Sequence, residues 1–265
     1  MFANPEFLAT RLVFIGLIVE ALEMFWLRRR FDSSGLFSRR TLGILLSGAH
    51  LQLRVISALG GGAFVAAAMG VQAVAATVVI LRGTGSRAGI VAALVCLATN
   101  ALVRARTKLG GSGAEQLTFM VLVTFGLVMI AGDTVAARRI GDAFLAAQVT
   151  LAYLAAGVSK AISPTWRSGR ALGAILSTEG YGLPSLGVFL VAHPIVDLAL
   201  SWSVIVWETA FPLAFLAPRP VLLGTLAVGV LFHTGCAIFM GLNRFPWAFC
   251  GCYPAILTSW ALLHH

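Results

Sequence analysis

The sequence predicts an all-α fold, a polytopic bundle of transmembrane helices, on three observations. Of its 265 residues 59% are hydrophobic and only 11% are charged, whereas a soluble domain carries about 25% charged residues to cover its surface. Mean hydropathy is +0.92. Apolar runs recur from one end of the chain to the other, with no compositional break, linker or internal repeat that would mark a second domain, so residues 1–265 read as one transmembrane domain. Together these exclude a soluble globular enzyme, a secreted disulfide scaffold and a disordered tail. The runs should be helices, because lipid leaves unpaired backbone groups no partner.

Stretches of about 17 to 25 mostly apolar residues suffice to cross about 30 Å of hydrocarbon. They fall at 7–27, 42–59, 62–81, 88–104, 115–132, 142–162, 195–216, 221–240 and 246–263. About nine spans are expected, eight to ten in all, since Gly60, Gly61 and Gly62 separate the second and third only weakly. The opening MFANPEFLATRLVF has no basic n-region or clear cleavage site, so the first run is expected to be retained.

Charge adds direction. Lys plus Arg outnumber Asp plus Glu by 19 to 10, and the pI is near 10.4. The arginines stand in short connectors between apolar runs, the pattern that orients membrane proteins and not that of a nucleic-acid-binding face. With nine spans, one side holds Arg28, Arg29, Arg30, Arg39, Arg40, Arg82, Arg87, Arg138, Arg139 and Arg219. The other holds Arg104, Arg106, Lys108, Arg167, Arg170 and Arg244. Ten against six makes the first side cytoplasmic and leaves the N-terminus outside; a bacterial inner membrane is the expected location.

The longest connector, 163–194, contains three prolines, five glycines and a ten-residue apolar stretch too short to span. It is expected to form a re-entrant or interfacial segment near 170–194, on the outer side, as the lid of a pocket.

Titratable groups inside the apolar runs are the sharpest pointer to function: Arg11, Glu20, Glu23, His50, Arg54, Glu115, Lys160, Asp197, Glu208 and His233. Each costs about 2.5–3.5 kcal/mol at a helix centre and so needs a partner or a purpose. Glu20 and Glu23 share a helix face, as do His50 and Arg54, and structural pairing between the two faces is the plain expectation. Lys160 stands out among 17 arginines and two lysines: a desolvated lysine can surrender its proton and act as a base, while arginine cannot. One turn from the end of its run, it could instead snorkel to the headgroups. Glu208 precedes Pro212, which frees a helix carbonyl and marks a kink. Lys160, Glu208 and His233 would together make a proton-handling site, although spacing alone does not bring them together.

His233, Cys236, Cys250 and Cys252 are weak metal candidates, because Cys-x-Cys is not zinc spacing and free cysteines serve as small buried hydrophobes. No metal is expected.

The run YLAAGVSKAISPTWRSGRAL, from Tyr153 to Leu172, resembles a segment of the vitamin K-dependent γ-carboxylases through Ala156, Gly157, Val158, Lys160, Trp166 and Gly169. Downstream, WETAFPL is similar to that family's acidic helix, and HTGCAIFMGLNRFPWAF to its histidine helix with a Gly-x-x-x-Phe turn. FDSSGLFSRR and GGSGAEQLTF are similar to loops of the wider horizontally transferred transmembrane (HTTM) group. The resemblance implies a base at Lys160 that deprotonates a reduced, vitamin K-like quinone. Oxygen then makes of the quinol a strong base that removes a glutamate proton before carbon dioxide adds. It implies catalytic roles for Lys160, His233 and Glu208, and a substrate pocket near Glu115, Trp166, Gly169, Asp197 and Phe245. Ser159 stands where the family has a second lysine, and Glu115 is the nearest ionisable residue to the position of a family histidine. A large lumenal C-terminal region like that of the animal enzymes is not expected.

Two functions follow. One is an HTTM-type membrane enzyme that modifies a peptide or protein substrate. The other is a non-enzymatic membrane subunit, for peptide maturation or export or for quinone binding, in which the charges serve assembly.

Overall fold

The computed structural model describes residues 5–32, 61–106, 111–180 and 182–264, with side chains for all of these but 5–10 and 106. Every regular element among them is helical. Six helices there are long and apolar enough to cross a membrane: Gly62–Arg82, Arg87–Ala105, Gly113–Ile130, Val135–Ile162, Pro194–Phe215 and Arg219–Met240. That is compatible with an integral membrane protein. The expected span at 42–59, with His50 and Arg54, lies outside the described residues. The chain divides into two units, Met1–Arg138 and Arg139–His265.

The first unit holds α1 (Pro5–Trp26), a 3-10 turn (Arg28–Phe31), α2 (Gly62–Arg82), α3 (Arg87–Arg106) and α4 (Gly113–Ile130). Phe14 and Leu17 of α1, Ala76 and Val79 of α2, Cys96 of α3 and Leu122 of α4 form one buried apolar cluster. The starts of α2, α3 and α4 are marked locally. Asp32 accepts from the Gly62 amide at 2.9 Å and sets a negative charge at the N-terminus of α2. Ser86 accepts from Gly89 at 3.0 Å and Ser112 from Glu115 at 3.3 Å, in the N-cap role that short hydroxyl side chains favour. After α4, Gly132 and Asp133 take left-handed backbone angles, and Asp133 forms a forked ion pair with Arg138 at 2.5 and 2.7 Å. The Arg138 guanidinium holds the Asp133 carboxyl below the usual carboxylate range.

Glu20 is buried in this unit and accepts on Oε2 from the side-chain amides of Gln72 (3.0 Å) and Asn100 (2.9 Å). Gln72 also donates to the Leu17 carbonyl and accepts from Thr99. Amides from two further helices thus bind this carboxylate, and the expected partners His50 and Arg54 lie outside the described residues.

The second unit is built on α5 (Val135–Ile162), whose first turn belongs to the first unit. Capped by Thr134, which accepts from Ala137 at 3.1 Å, α5 starts seven residues before the expected span. At about 1.5 Å per residue it runs about 42 Å, more than the hydrocarbon thickness, so its charged first turns can lie beyond the apolar core.

Three short helices follow: α6 (Pro164–Arg167), α7 (Ala171–Leu176) and α8 (Pro184–Ala192). They lead to α9 (Pro194–Ala210), a 3-10 turn (Phe211–Phe215) and α10 (Arg219–Met240). Pro212 has no N–H for the Glu208 carbonyl, and the helix tightens to 3-10 there. Gly241, in the left-handed conformation, ends α10.

The stretch 246–263, expected as one span, is divided at Cys252 into α11 (Phe245–Gly251) and α12 (Tyr253–His264). Gly251 favours helix weakly and Pro254 removes the donor to the Cys250 carbonyl, which together interrupt the α-helical ladder.

Helices α5 and α9 meet at Gly157. A Cβ there would stand 2.5 Å from the Thr209 hydroxyl and 2.6 Å from the Thr209 backbone nitrogen, so only glycine permits the approach. Gly157→Ala should cost about 1–3 kcal/mol by overpacking. Gly224→Ala, with nothing within 4 Å of the new carbon, should be neutral or gain up to about 1 kcal/mol. Thermal unfolding of the two variants in lipid nanodiscs checks the contrast.

Candidate functional site

Tyr153, Gly157 and Lys160 occur at i, i+4 and i+7 on α5, which stacks them along one face. Gly157 lets α9 approach, and the Lys160 amine donates to Glu208 Oε2 at 2.6 Å. The Glu208 side chain is 4% exposed and that of Lys160 19%. The amine also lies 5.2 Å from the centroid of the Trp166 ring, on α6. Lys160 is therefore held by an acid and an aromatic face. Removing one partner of so buried a pair costs about 3–5 kcal/mol, because the other charge is left uncompensated.

About two turns towards the start of α5, the Tyr153 hydroxyl lies 2.7 Å from His233 Nε2 and 2.8 Å from the Tyr253 hydroxyl. All three side chains are buried. Gly229 makes room for the Tyr253 side chain, since a Cβ at that position would run into its hydroxyl. Aromatic rings close around this chain. His233 stacks on Phe249 at 4.3 Å and meets Phe232 at 5.1 Å and Phe245 at 5.9 Å. Tyr153 packs on Phe211 at 4.3 Å and edge-on to Trp207 at 4.9 Å.

The two groups lie side by side: Tyr153 packs on Trp207 and Phe211, which stand on either side of Glu208 in the chain. Lys160, Glu208 and His233 thus occupy one neighbourhood of the second unit, with Trp166 and Phe245 beside it. Chemically, the neighbourhood holds an amine and a carboxyl able to exchange a proton, and an imidazole fixed by a phenol.

Two other expected pocket residues have different work. Asp197 shares a buried stripe of α9 with Ser201, Ile205 and Glu208, but eleven residues from Glu208 put it about 16 Å along the helix. Its oxygens accept from the Gly173 amide at 2.8 Å and the Ser201 hydroxyl at 3.0 Å. Gly169, with φ +65°, lies against Leu198, and a Cβ would collide with the Leu198 backbone. The Arg167 carbonyl accepts from the Trp202 indole at 3.3 Å. Asp197 and Gly169 thereby seat α6 and α7 on the first half of α9. Glu115 belongs to the first unit, in the first turn of α4.

The four cysteines are free thiols, and among the described residues no three His, Cys, Asp or Glu side chains gather as a metal-ligand set. Tyr153 and Tyr253 are the members of the candidate site that reading for charge passes over. The signal was available: a phenol hydroxyl inside an apolar run needs a partner as an acid does, and the chain has only three tyrosines. Comparison with protein-family models, with curated proteins and with solved structures finds no match.

Asp197→Ala should release the seated connector by taking the acceptor from a backbone N–H and a hydroxyl, at about 1–3 kcal/mol. Limited proteolysis checks this: cleavage within 177–183 should speed up several-fold, while Asp197→Asn, which keeps a carbonyl acceptor, should stay closer to the parent.

Proposed function

We propose that the chain is an HTTM-type integral membrane enzyme related to the transmembrane part of the vitamin K-dependent γ-carboxylases, with Lys160 as the base acting on a lipid-soluble quinol. The observation that carries this reading is the Lys160–Glu208 contact at 2.6 Å beside the His233–Tyr153 hydrogen bond. A proton passed from Lys160 Nζ to Glu208 Oε2 leaves a neutral amine and a neutral acid, and a low-dielectric surrounding favours that neutral pair over two buried charges. The amine can then accept a proton from a bound hydroxyl. Support for a quinol as the ligand comes from the lining: Trp166, Phe245 and Phe249 offer aromatic faces, and His233 Nδ1 is a buried polar atom without a hydrogen-bond partner.

A bound quinol would supply the electrons for reaction with oxygen, and carbon dioxide would supply the carbon added to a glutamate of a peptide or protein substrate. The protein's own part is to bind the hydroxyl, hold its proton on Lys160 and keep water out. We further read it as crossing a bacterial inner membrane about nine times, with the N-terminus outside and the 163–194 connector as an outer interfacial or re-entrant segment. The distribution of basic residues supports that orientation.

The closed Lys160–Glu208 pair also favours a second reading, in which it is a structural lock in a non-enzymatic subunit for peptide maturation, export or quinone binding. One substitution separates the two. In nanodiscs given vitamin K1 hydroquinone, oxygen, labelled bicarbonate and a glutamate-containing peptide, wild type should consume the hydroquinone and label the peptide. Lys160→Arg, which keeps charge but cannot act as a base, should lower both rates about 10²–10⁴-fold. Undiminished turnover in Lys160→Arg, or a wild type that leaves the hydroquinone untouched, sinks the enzyme reading. The subunit reading expects that variant to be tolerated and charge reversal at Glu20, Glu23 or Asp197 to abolish assembly.

A further inference from the structure

Where α1 ends, three exposed apolar side chains run into three arginines. Leu22, Phe25 and Trp26 follow at i, i+3 and i+4, on one face of the helix, and all three are exposed, Trp26 by 86%. Arg28, Arg29 and Arg30 come directly behind them in the 3-10 turn. Arg28 folds back, donating to the Phe25 carbonyl at 2.9 Å with its guanidinium 4.4 Å from the centre of the Phe25 ring. Arg29 and Arg30 are exposed, and among the described residues no acid pairs with either.

The turn is pinned at its far end. Phe31 is buried with Met24 of α1, Val65 and Met69 of α2 and Val103 of α3. Asp32, the acid of the turn, is engaged by the Gly62 amide. With Phe31 and Asp32 directed at the helices, Arg29 and Arg30 are left on the outside. The same contacts set the depth of the turn. The apolar stretch of α2 starts at Gly62 and that of α3 finishes at Ala105, so the turn lies level with two span ends, where hydrocarbon gives way to headgroups. Tryptophan favours that level, because its ring is apolar and its N–H polar.

We propose that this turn binds an anionic phospholipid, with Arg29 and Arg30 on the headgroup phosphate and Leu22 and Trp26 along the acyl chains. The juxtaposition specifies the partner. Whatever touches both parts must carry negative charge and hydrocarbon about one helical turn apart, roughly 5 Å. A phospholipid does so, whereas free phosphate or an acidic peptide offers the charge alone, and basic side chains beside a span attract anionic headgroups. The far end of α2 supplies a contrast. Arg82 and Arg87 are exposed there, but no aromatic residue occurs between Val65 and Thr118. The inference needs only that the long apolar helices cross a bilayer, and it is independent of the quinol chemistry.

The test is tryptophan quenching in the full-length protein, held in phosphatidylcholine nanodiscs with a minor share of phosphatidylglycerol and bromine on the acyl chains of one lipid or the other. Subtracting the Trp26→Phe emission isolates Trp26 among the six tryptophans. At equal bromine content, brominated phosphatidylglycerol should quench Trp26 more strongly than brominated phosphatidylcholine. Arg29→Gln/Arg30→Gln should lower that preference about fivefold or more, while Arg82→Gln/Arg87→Gln, the same loss of charge at the far end of α2, should keep it. Equal quenching by the two lipids in wild type overturns the proposal. So does a preference that Arg29→Gln/Arg30→Gln leaves unchanged, or one that Arg82→Gln/Arg87→Gln lowers as much. Should Arg29→Gln/Arg30→Gln fail to insert, raised salt on wild type takes its place: screening should remove the preference, and a preference indifferent to salt overturns the assignment.

Discussion

The meeting of α5 and α9 at Gly157 is the constraint on which the second unit depends. Two helices pass so closely that the missing side chain of one is replaced by the backbone of the other. That proximity sets the Lys160 amine on the Glu208 carboxylate and leaves Tyr153, one turn earlier, among the aromatic rings of Trp207 and Phe211. In lipid there is little hydrophobic drive between helices, so close packing and internal hydrogen bonds carry association. Small residues at the contact and polar groups beside it are therefore two parts of one solution.

The two units handle buried polarity differently. In the first, amides from Gln72 and Asn100 surround the Glu20 carboxylate. In the second, an acid meets a base and an imidazole meets phenols. Amides bind a carboxylate without titrating, which suits architecture. In the second unit an acid lies on an amine beside an imidazole bonded to a phenol, and that grouping is why the chemistry is sought there.

Much of the architecture was legible in residue order. Hydropathy alone locates the six described helices that are long and apolar enough to cross a membrane, because the cost of unpaired backbone in lipid outweighs local propensity. Its failures are local. Cys252 and Pro254 interrupt a run that is apolar enough to look continuous, since hydropathy is blind to a missing N–H. Among the site residues, Lys160, Glu208 and His233 stand out as charges, but their convergence depends on Gly157, whose contribution is an absence of atoms. Asp197 looks like a pocket residue by the same criterion of charge, and its attachment to the Gly173 amide could not be inferred, because any backbone N–H in the connector was an equal candidate. The amides around Glu20 were missed because neutral side chains raise no alarm in an apolar run.

The seat of the connector has a consequence for biosynthesis. Gly173 emerges from the ribosome 24 residues before Asp197, the acid that holds it, and Gly169 likewise precedes Leu198. At about 5–20 residues per second the interval is about one to five seconds. During that time α6 is already made and α7 and α8 are being completed, but the helix that carries the anchors of α6 and α7 is not. The nascent chain must therefore tolerate an undocked connector at the membrane, and the docked form is completed only when α9 is threaded into place beside it.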